Sequence, residues 1–243
     1  MITLQHNTVS TGHEQAAWAG VQVLVLGVLG ATVGLGPMGW VVGTAYAVAT
    51  WALLSHGMQR TGTYSLGPAD RVTLGRGMLV GGVTALVADR VGQGVPVAIV
   101  VALAAVALAL DAVDGQVARR TGTSSKLGAR FDMEVDAFLI LVLSAHVALA
   151  FGPWVLAIGA MRYVFVAVSW VQPWLSGDLP PSYARKTVAA VQGVVLVVAA
   201  SDLVPGSAFL VAGALGTLLW SFGRDIGWLW RNAPAPVRGF RHV

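Results

Sequence analysis

Long apolar stretches alternate with short polar gaps along this chain, and the spacing of the two predicts its elements. A bilayer core needs roughly 20 apolar residues per helix. Windows of about that size fall at 17–36, 39–56, 72–89, 95–118, 132–151, 154–175, 187–203 and 206–228, which predicts eight membrane-spanning helices. The gaps carry turn chemistry: "GLGPMG" (34–39), "GQGVP" (92–96), "FGP" (151–153), "SGDLPP" (176–181) and "VPGS" (204–207). The longest polar interruption ahead of residue 110 is "GMQRTGTYSLGPADR" (57–71). It divides an N-terminal segment with two helices (1–60) from a six-helix body (61–230), and "RNAPAPVRGFRHV" is too polar and Pro-rich to add a helix, so 231–243 is expected to be a solvated tail. No internal repeat is visible.

Composition fixes the environment. Of the 243 residues 56% are hydrophobic and 11% charged, with mean hydropathy +0.73, which is more apolar surface than a soluble domain of this size can hide. The chain is therefore expected to be an all-α integral membrane protein. With no cysteine, a disulfide framework and thiolate metal sites are excluded. Net charge is +4, but the Lys and Arg residues are scattered between helices and form no long basic tract, so no nucleic-acid partner is expected. The first residues lack a basic n-region, so a cleaved signal peptide is not expected either.

Charge also orients the chain. If all eight windows span, thirteen Lys and Arg residues, from Arg60 to Arg241, lie on or near one side, and Arg90 stands alone on the other. By the positive-inside bias the first side, with both termini, is cytoplasmic.

On that side sits "LDAVDGQVARRTGTSSKLGARFDMEVDAF" (110–138). Asp111 and Asp114 are three apart, with Ala118 four further on, and share one helical face; Asp132 and Asp136, four apart, share a face of the next helix. If the two faces converge, four carboxylates at a few ångströms need countercharge to remain ionised together. Oxygen-only ligands favour hard cations, Mg2+ or Mn2+, and four carboxylates suit a two-metal site. Gly115 inside a helix costs about 1 kcal/mol relative to Ala, which points to a close approach there, and Ala118 gives the same clearance one turn on. Arg119 offers a fixed charge for a phosphate oxygen.

Asp111-x2-Asp114-Gly115-x2-Ala118-Arg119-x8-Gly128-x3-Asp132-x3-Asp136 resembles, without gap or substitution, the signature of the CDP-alcohol phosphotransferases, membrane enzymes of phospholipid head-group synthesis. The resemblance implies a six-helix membrane body, here with two additional N-terminal transmembrane helices, usually dimeric, in a bacterial cytoplasmic membrane with the site facing the cytoplasm. It implies two divalent metals, and an alcohol that attacks the β-phosphorus of a CDP-linked donor and releases CMP. By similarity Asp111, Asp114 and Asp132 are metal ligands, and Asp136 is a ligand or the base that takes the acceptor proton. Gly115, Ala118, Arg119 and Gly128, with Asp114, line the CDP site, and so do Thr73 and Arg76, whose Thr73-x2-Arg76 resembles the Thr-x2-Arg that opens the first body helix in many members. The Asn common shortly before that Thr is absent, which leaves Asp70 without an assigned role.

Arg162 lies well inside an apolar window, where a charge costs some 2.5–3.5 kcal/mol on insertion scales, so it is expected to face a polar cavity. Together with Arg185, Lys186 and Gln192 it is a candidate for binding an anionic acceptor such as glycerol phosphate or inositol phosphate. The donor expected is CDP-diacylglycerol. Transfer of a head group from a soluble CDP-alcohol to diacylglycerol is the alternative inside the family, and an ion-coupled transporter the alternative outside it. Blander readings cover the rest: Glu134 as an interfacial charge, Asp89 paired with Arg90 at the outer surface, the histidines without ligand spacing, and the nine Trp as interfacial belts. "GVLGATVGLG" in the N-terminal pair has small-residue spacing suited to helix packing, over the body or in a dimer.

Overall fold

The computed structural model describes residues 2–61, 67–89, 94, 96–121 and 126–233. Side chains are described from Trp18 onward within these ranges, except at 61, 68–69, 114–121 and 126–127. Among the described residues the chain is all helical: α1 (Ile2–Val33), α2 (Pro37–Thr61), α3 (Pro68–Asp89), α4 (Val97–Thr121), α5 (Lys126–Phe151), α6 (Leu156–Val171), α7 (Tyr183–Ala200) and α8 (Ser207–Asn232). Single 3-10 turns at Pro153–Val155 and Pro173–Ser176 bracket α6. Five stretches are long and apolar enough to cross a membrane, Pro37–Arg60, Asp70–Asp89, Gly128–Phe151, Pro153–Val171 and Tyr183–Ala200, and shorter apolar segments cover Trp18–Val33 and Val97–Val113. This is an all-α integral membrane protein.

Local chemistry explains most boundaries. Gly34, at φ 73°, donates its N–H to the Gly30 carbonyl at 3.1 Å and ends α1, and Pro37 opens α2. At the head of α3 the Asp70 carboxylate accepts from Gly67 N–H at 2.9 Å, closing the turn before Pro68 like the acidic half of a capping box. That contact gives Asp70 a structural part. The sixth window was expected to run to 175, but α6 stops at Val171. Pro173 has no N–H to donate and forces Gln172 out of the helical region, to φ −116° and ψ 88°.

α3 is the hub. It packs against α1, α2, α4 and α5, and 72% of its span is buried in the protein, against 11% for α2. Val80, Val83, Ala85 and Leu86 of α3 share a core with Leu26 of α1, Val100 and Ala104 of α4, and Leu139 and Leu143 of α5. The N-terminal pair thus covers the body along α3. Tyr46 of α2 fastens this contact by donating to the Gly77 carbonyl at 2.9 Å.

The glycines and Asp89 show where the N-terminal pair packs closely. Of the glycines in "GVLGATVGLG", a Cβ on Gly27 or Gly34 would meet nothing within 4 Å, one on Gly30 would lie 3.1 Å from the Trp40 ring of α2, and one on Gly36 would lie 2.7 Å from the Asp89 carboxylate of α3. Further close approaches lie outside that stretch: a Cβ on Gly43 would lie 2.7 Å from Leu26, and one on Gly81 would lie 2.6 Å from Gln22 and 2.8 Å from Tyr46. Asp89 accepts from the N–H groups of Gly36 and Gly39, at 2.9 and 3.0 Å, and so caps α2. Its expected partner Arg90 lies outside the described residues. Free amides at a helix start offer a carboxylate several donors and a positive dipole end.

The C-terminal half is tied by a different device. Buried Gln192 of α7 donates its amide to the Ala214 carbonyl of α8 at 2.9 Å. This amide N–H joins α7 to α8.

Candidate active site

Chain direction brings the start of α3, the end of α4, the start of α5, the start of α7 and the end of α8 to one end of the bundle. The aspartates gather there. Asp111 comes from the second half of α4, and Asp132 and Asp136 from one face of α5, two and three turns from its start. One ligand oxygen of each lies within 4.8 Å of the others, and all three side chains are part-buried. Asp132 and Asp136 can aim together because i, i+4 places them on one face of α5; α4 and α5, each packed on α3, bring Asp111 to that face.

Arg76 stands in the middle of the cluster. Its side chain is 1% exposed and rises from α3 between the two aspartate helices. One guanidinium nitrogen, Nη1, donates to Asp111 Oδ1. The other, Nη2, donates to Asp132 Oδ1, reaches the Asp132 carbonyl at 3.3 Å, and pairs with Asp136 Oδ1 at 3.1 Å. A rigid planar fork suits this, since its N–H groups diverge toward several carboxylates at once. One side chain thereby ties α3 to α4 and α5. Thr73, one turn earlier, is buried on α3.

The remaining residues of the signature divide by place. Gly128 is part-buried in the first turn of α5. Asp114, Gly115, Ala118 and Arg119 continue α4 beyond Asp111, and their side chains lie outside the described residues.

The basic candidates separate into two groups. Arg162, midway along α6, donates to Glu134 Oε1 at 2.5 Å and to the Met133 sulfur at 3.2 Å. Its charge inside an apolar helix is thus answered by Glu134, which the sequence reading left as an interfacial charge. Arg185 of α7 pairs with Asp225 of α8 at 3.4 Å and also donates to the Pro180 carbonyl. Lys186 is exposed. Sequence reasoning missed Arg224 and Asp225. Arg224 pairs with Asp225 at 3.1 Å, donates to Ser182 Oγ at 3.3 Å, and stacks over Trp220 at 5.0 Å. Two guanidinium groups thus share one carboxylate that is only 14% exposed. The signal was "GRDIG" (223–227), an ion pair at the end of an apolar window, where a charge needs a reason to be.

Carboxylates converging from two membrane helices at one end of the bundle offer a set of oxygen ligands that could hold a cation. A comparison with protein families agrees: the CDP-alcohol phosphatidyltransferase family matches residues 68–221, more than half of the chain. The chain belongs to this family. The match begins at the first residue of α3 and ends within α8, so it takes in the six-helix body and leaves α1 and α2 outside. Searches of curated proteins and of solved structures returned no significant match. Membership makes the protein a membrane transferase that uses a CDP-linked alcohol. It also favours group transfer over the ion-coupled transporter, which would equally place aspartates on facing helices.

Proposed function

We propose that this chain transfers phosphatidyl from CDP-diacylglycerol to a small polar alcohol carrying an anionic group, of the glycerol phosphate or inositol phosphate class, and releases CMP. The observation that carries the reading is the convergence of Asp111, Asp132 and Asp136 at one end of the bundle, with ligand oxygens within 4.8 Å of one another. This donor set fits the metal that the family implies, because three carboxylates with no nitrogen or sulfur ligand favour Mg2+ or Mn2+. Asp111, Asp132 and Asp136, with Asp114, are the residues we assign to hold it, as one ion or two. Bound there, divalent cations supply charge neutralisation on the diphosphate and polarise its phosphorus.

The chain's own groups account for the rest. In the transfer, the acceptor oxygen forms a bond to the β-phosphorus as the bond from that phosphorus to the CMP oxygen breaks. The hydroxyl proton passes to a carboxylate, and we assign Asp136 to receive it. Thr73 and Gly128, with Gly115, Ala118 and Arg119, are assigned to the CDP moiety on the strength of the family signature. For the acceptor, Arg185 at the start of α7 and Arg224 near the end of α8 share the single carboxylate of Asp225, and Lys186 follows Arg185 in the first turn of α7. That surplus of positive charge, at the same end of the bundle as the aspartates, supports an anionic acceptor. Arg162, neutralised by Glu134, is the weaker candidate. The excess of Lys and Arg at this end supports a cytoplasmic orientation.

A donor-by-acceptor screen on the purified full chain, read as CMP release, tests the reading. Release from CDP-diacylglycerol with a polyol phosphate, abolished by chelation and restored by Mg2+ or Mn2+, is the expected result. Release only from CDP-choline-like donors with diacylglycerol would reassign the chain to head-group transfer, and no release from either would overturn the enzyme assignment. In the same assay Arg185→Ala is expected to raise the KM for the anionic acceptor about tenfold or more, as loss of a charge-assisted contact does, while the donor KM stays within about twofold. An unchanged acceptor KM would remove Arg185 from the acceptor site.

A further inference from the structure

Arg76 is the most buried charged side chain among the described residues, and it occupies the centre of the group of carboxylates assigned to cations. Its partners come from two other helices, 35 residues away in sequence at Asp111 and 56 away at Asp132. A guanidinium at a donor or pyrophosphate site would be expected to point its N–H groups at open space for a phosphate. Here both terminal nitrogens are directed at aspartate oxygens instead.

Electrostatics gives this arrangement a consequence. Three ionised carboxylates and one guanidinium leave a net charge of −2 among the described groups, which a single divalent cation balances. Without Arg76, the same carboxylates would repel one another across less than 5 Å in a poorly screened, part-buried setting. The guanidinium therefore holds the cluster together when no metal is bound. It also opposes the metal. A Mg2+ ion needs carboxylate oxygens at roughly 2.0–2.1 Å in near-octahedral array, and the Oδ1 atoms of Asp111, Asp132 and Asp136 already accept from, or pair with, Arg76. Lone pairs directed at N–H groups must be redirected, and a fixed positive charge remains beside the incoming dication.

We infer that Arg76 is a resident counter-cation that competes with the divalent metal for the aspartate cluster, and so sets metal affinity as well as the metal-free geometry. The inference rests on the cation site of the proposed function. It departs from the role in binding CDP that the Thr-x2-Arg resemblance suggests for this residue. A residue that only contacts nucleotide would leave metal affinity unchanged in the absence of nucleotide. A residue that only positions the aspartates would weaken metal binding when removed.

The test measures Mn2+ retention by electron paramagnetic resonance on the full chain in detergent, without nucleotide, in the wild type, Arg76→Gln and Arg76→Lys. Arg76→Gln is expected to bind Mn2+ at least tenfold more tightly than the wild type. Arg76→Lys is expected to fall between them, since an ammonium keeps the charge but lacks the fork that reaches three carboxylates. Metal-free Arg76→Gln is expected to melt at lower temperature than the wild type and to gain more in melting temperature from added Mn2+. Equal or weaker Mn2+ binding in both variants, with binding intact in the wild type, overturns this inference alone. Retention of no Mn2+ by any of the three overturns the metal site itself. Should Arg76→Gln fail to fold without metal, the affinity of Arg76→Lys decides on the same criterion.

Discussion

Asp136→Asn is expected to lower Mg2+-dependent CMP release by roughly 10^3-fold, the scale seen when one preorganised electrostatic group is removed from a transfer site, with the purified protein still folded. The exchange is nearly isosteric and deletes one negative charge. If Asp136 ligates metal, an amide oxygen is a poorer ligand for Mg2+ than a carboxylate; if it takes the acceptor proton, an amide cannot. Either role predicts the same loss in turnover. Folding should survive because the tie between helices does not rest on this residue alone: Arg76 still donates to Asp111 on α4 and to Asp132 on α5 when its 3.1 Å pair with Asp136 is lost. The check is initial-rate CMP release alongside a melting curve on the same preparation. Wild-type turnover in Asp136→Asn would remove both roles assigned to the residue, whereas loss of turnover with a collapsed melting curve would assign it to folding.

The second large effect concerns the helix that carries two of the aspartates. Gly159 of α6 lies against the backbone of α5, and a Cβ there would sit 2.4 Å from the Leu141 Cα and 3.1 Å from its N. Backbone cannot rotate aside as a side chain can, so α6 must move away from α5 to admit any residue larger than glycine. Van der Waals packing is the main attraction between helices in a bilayer, where lipid tails compete equally for apolar surface. Separation therefore forfeits much of that contact. Gly159→Leu is expected to destabilise by about 3 kcal/mol or more and Gly159→Ala by about 1–3 kcal/mol, seen as a stepwise fall in melting temperature in mild detergent. Gly213→Ala supplies the contrast: a Cβ there meets nothing within 4 Å, and an alanine inside a helix should be neutral or slightly stabilising. A Gly159→Leu protein that melts with the wild type would refute the close α5–α6 approach.

Activity should follow the same order. α5 is held from one side by Gly159 and from the other by Arg76 and the α3 core, so a shift of α5 away from α6 would displace Asp132 and Asp136 relative to Asp111. Misplacement of about 1 Å is enough to cost on the order of 10^2-fold in an aligned displacement. This connects the packing of an apolar helix pair to the geometry of the charged cluster.

What the amino-acid sequence determined by itself was one-dimensional. Apolar run length placed eight helices, of which five among the described residues are long and apolar enough to span, because spanning a bilayer is a demand on length and composition that no tertiary contact can waive. Proline and glycine placed the breaks, except that Pro173 ended α6 a few residues before the apolar run did. Spacing of three and four put the aspartates on common faces, since helical periodicity is local. Pairing between helices could not be read this way. In a soluble bundle the polar face of each helix reveals its rotation, but here lipid-facing and protein-facing positions are alike apolar, and Val28 and Leu53 are exposed while Val80 and Leu143 are buried. The rotation of each helix was therefore decided by packing. That packing brought Arg76 among the aspartates, joined Arg185 and Arg224 at Asp225, gave Arg162 to Glu134, set Asp89 on the start of α2 and pressed Gly159 against Leu141. Charge type and position were legible in the chain; which charge meets which depended on three-dimensional contacts between helices whose apolar surfaces carry no directional mark.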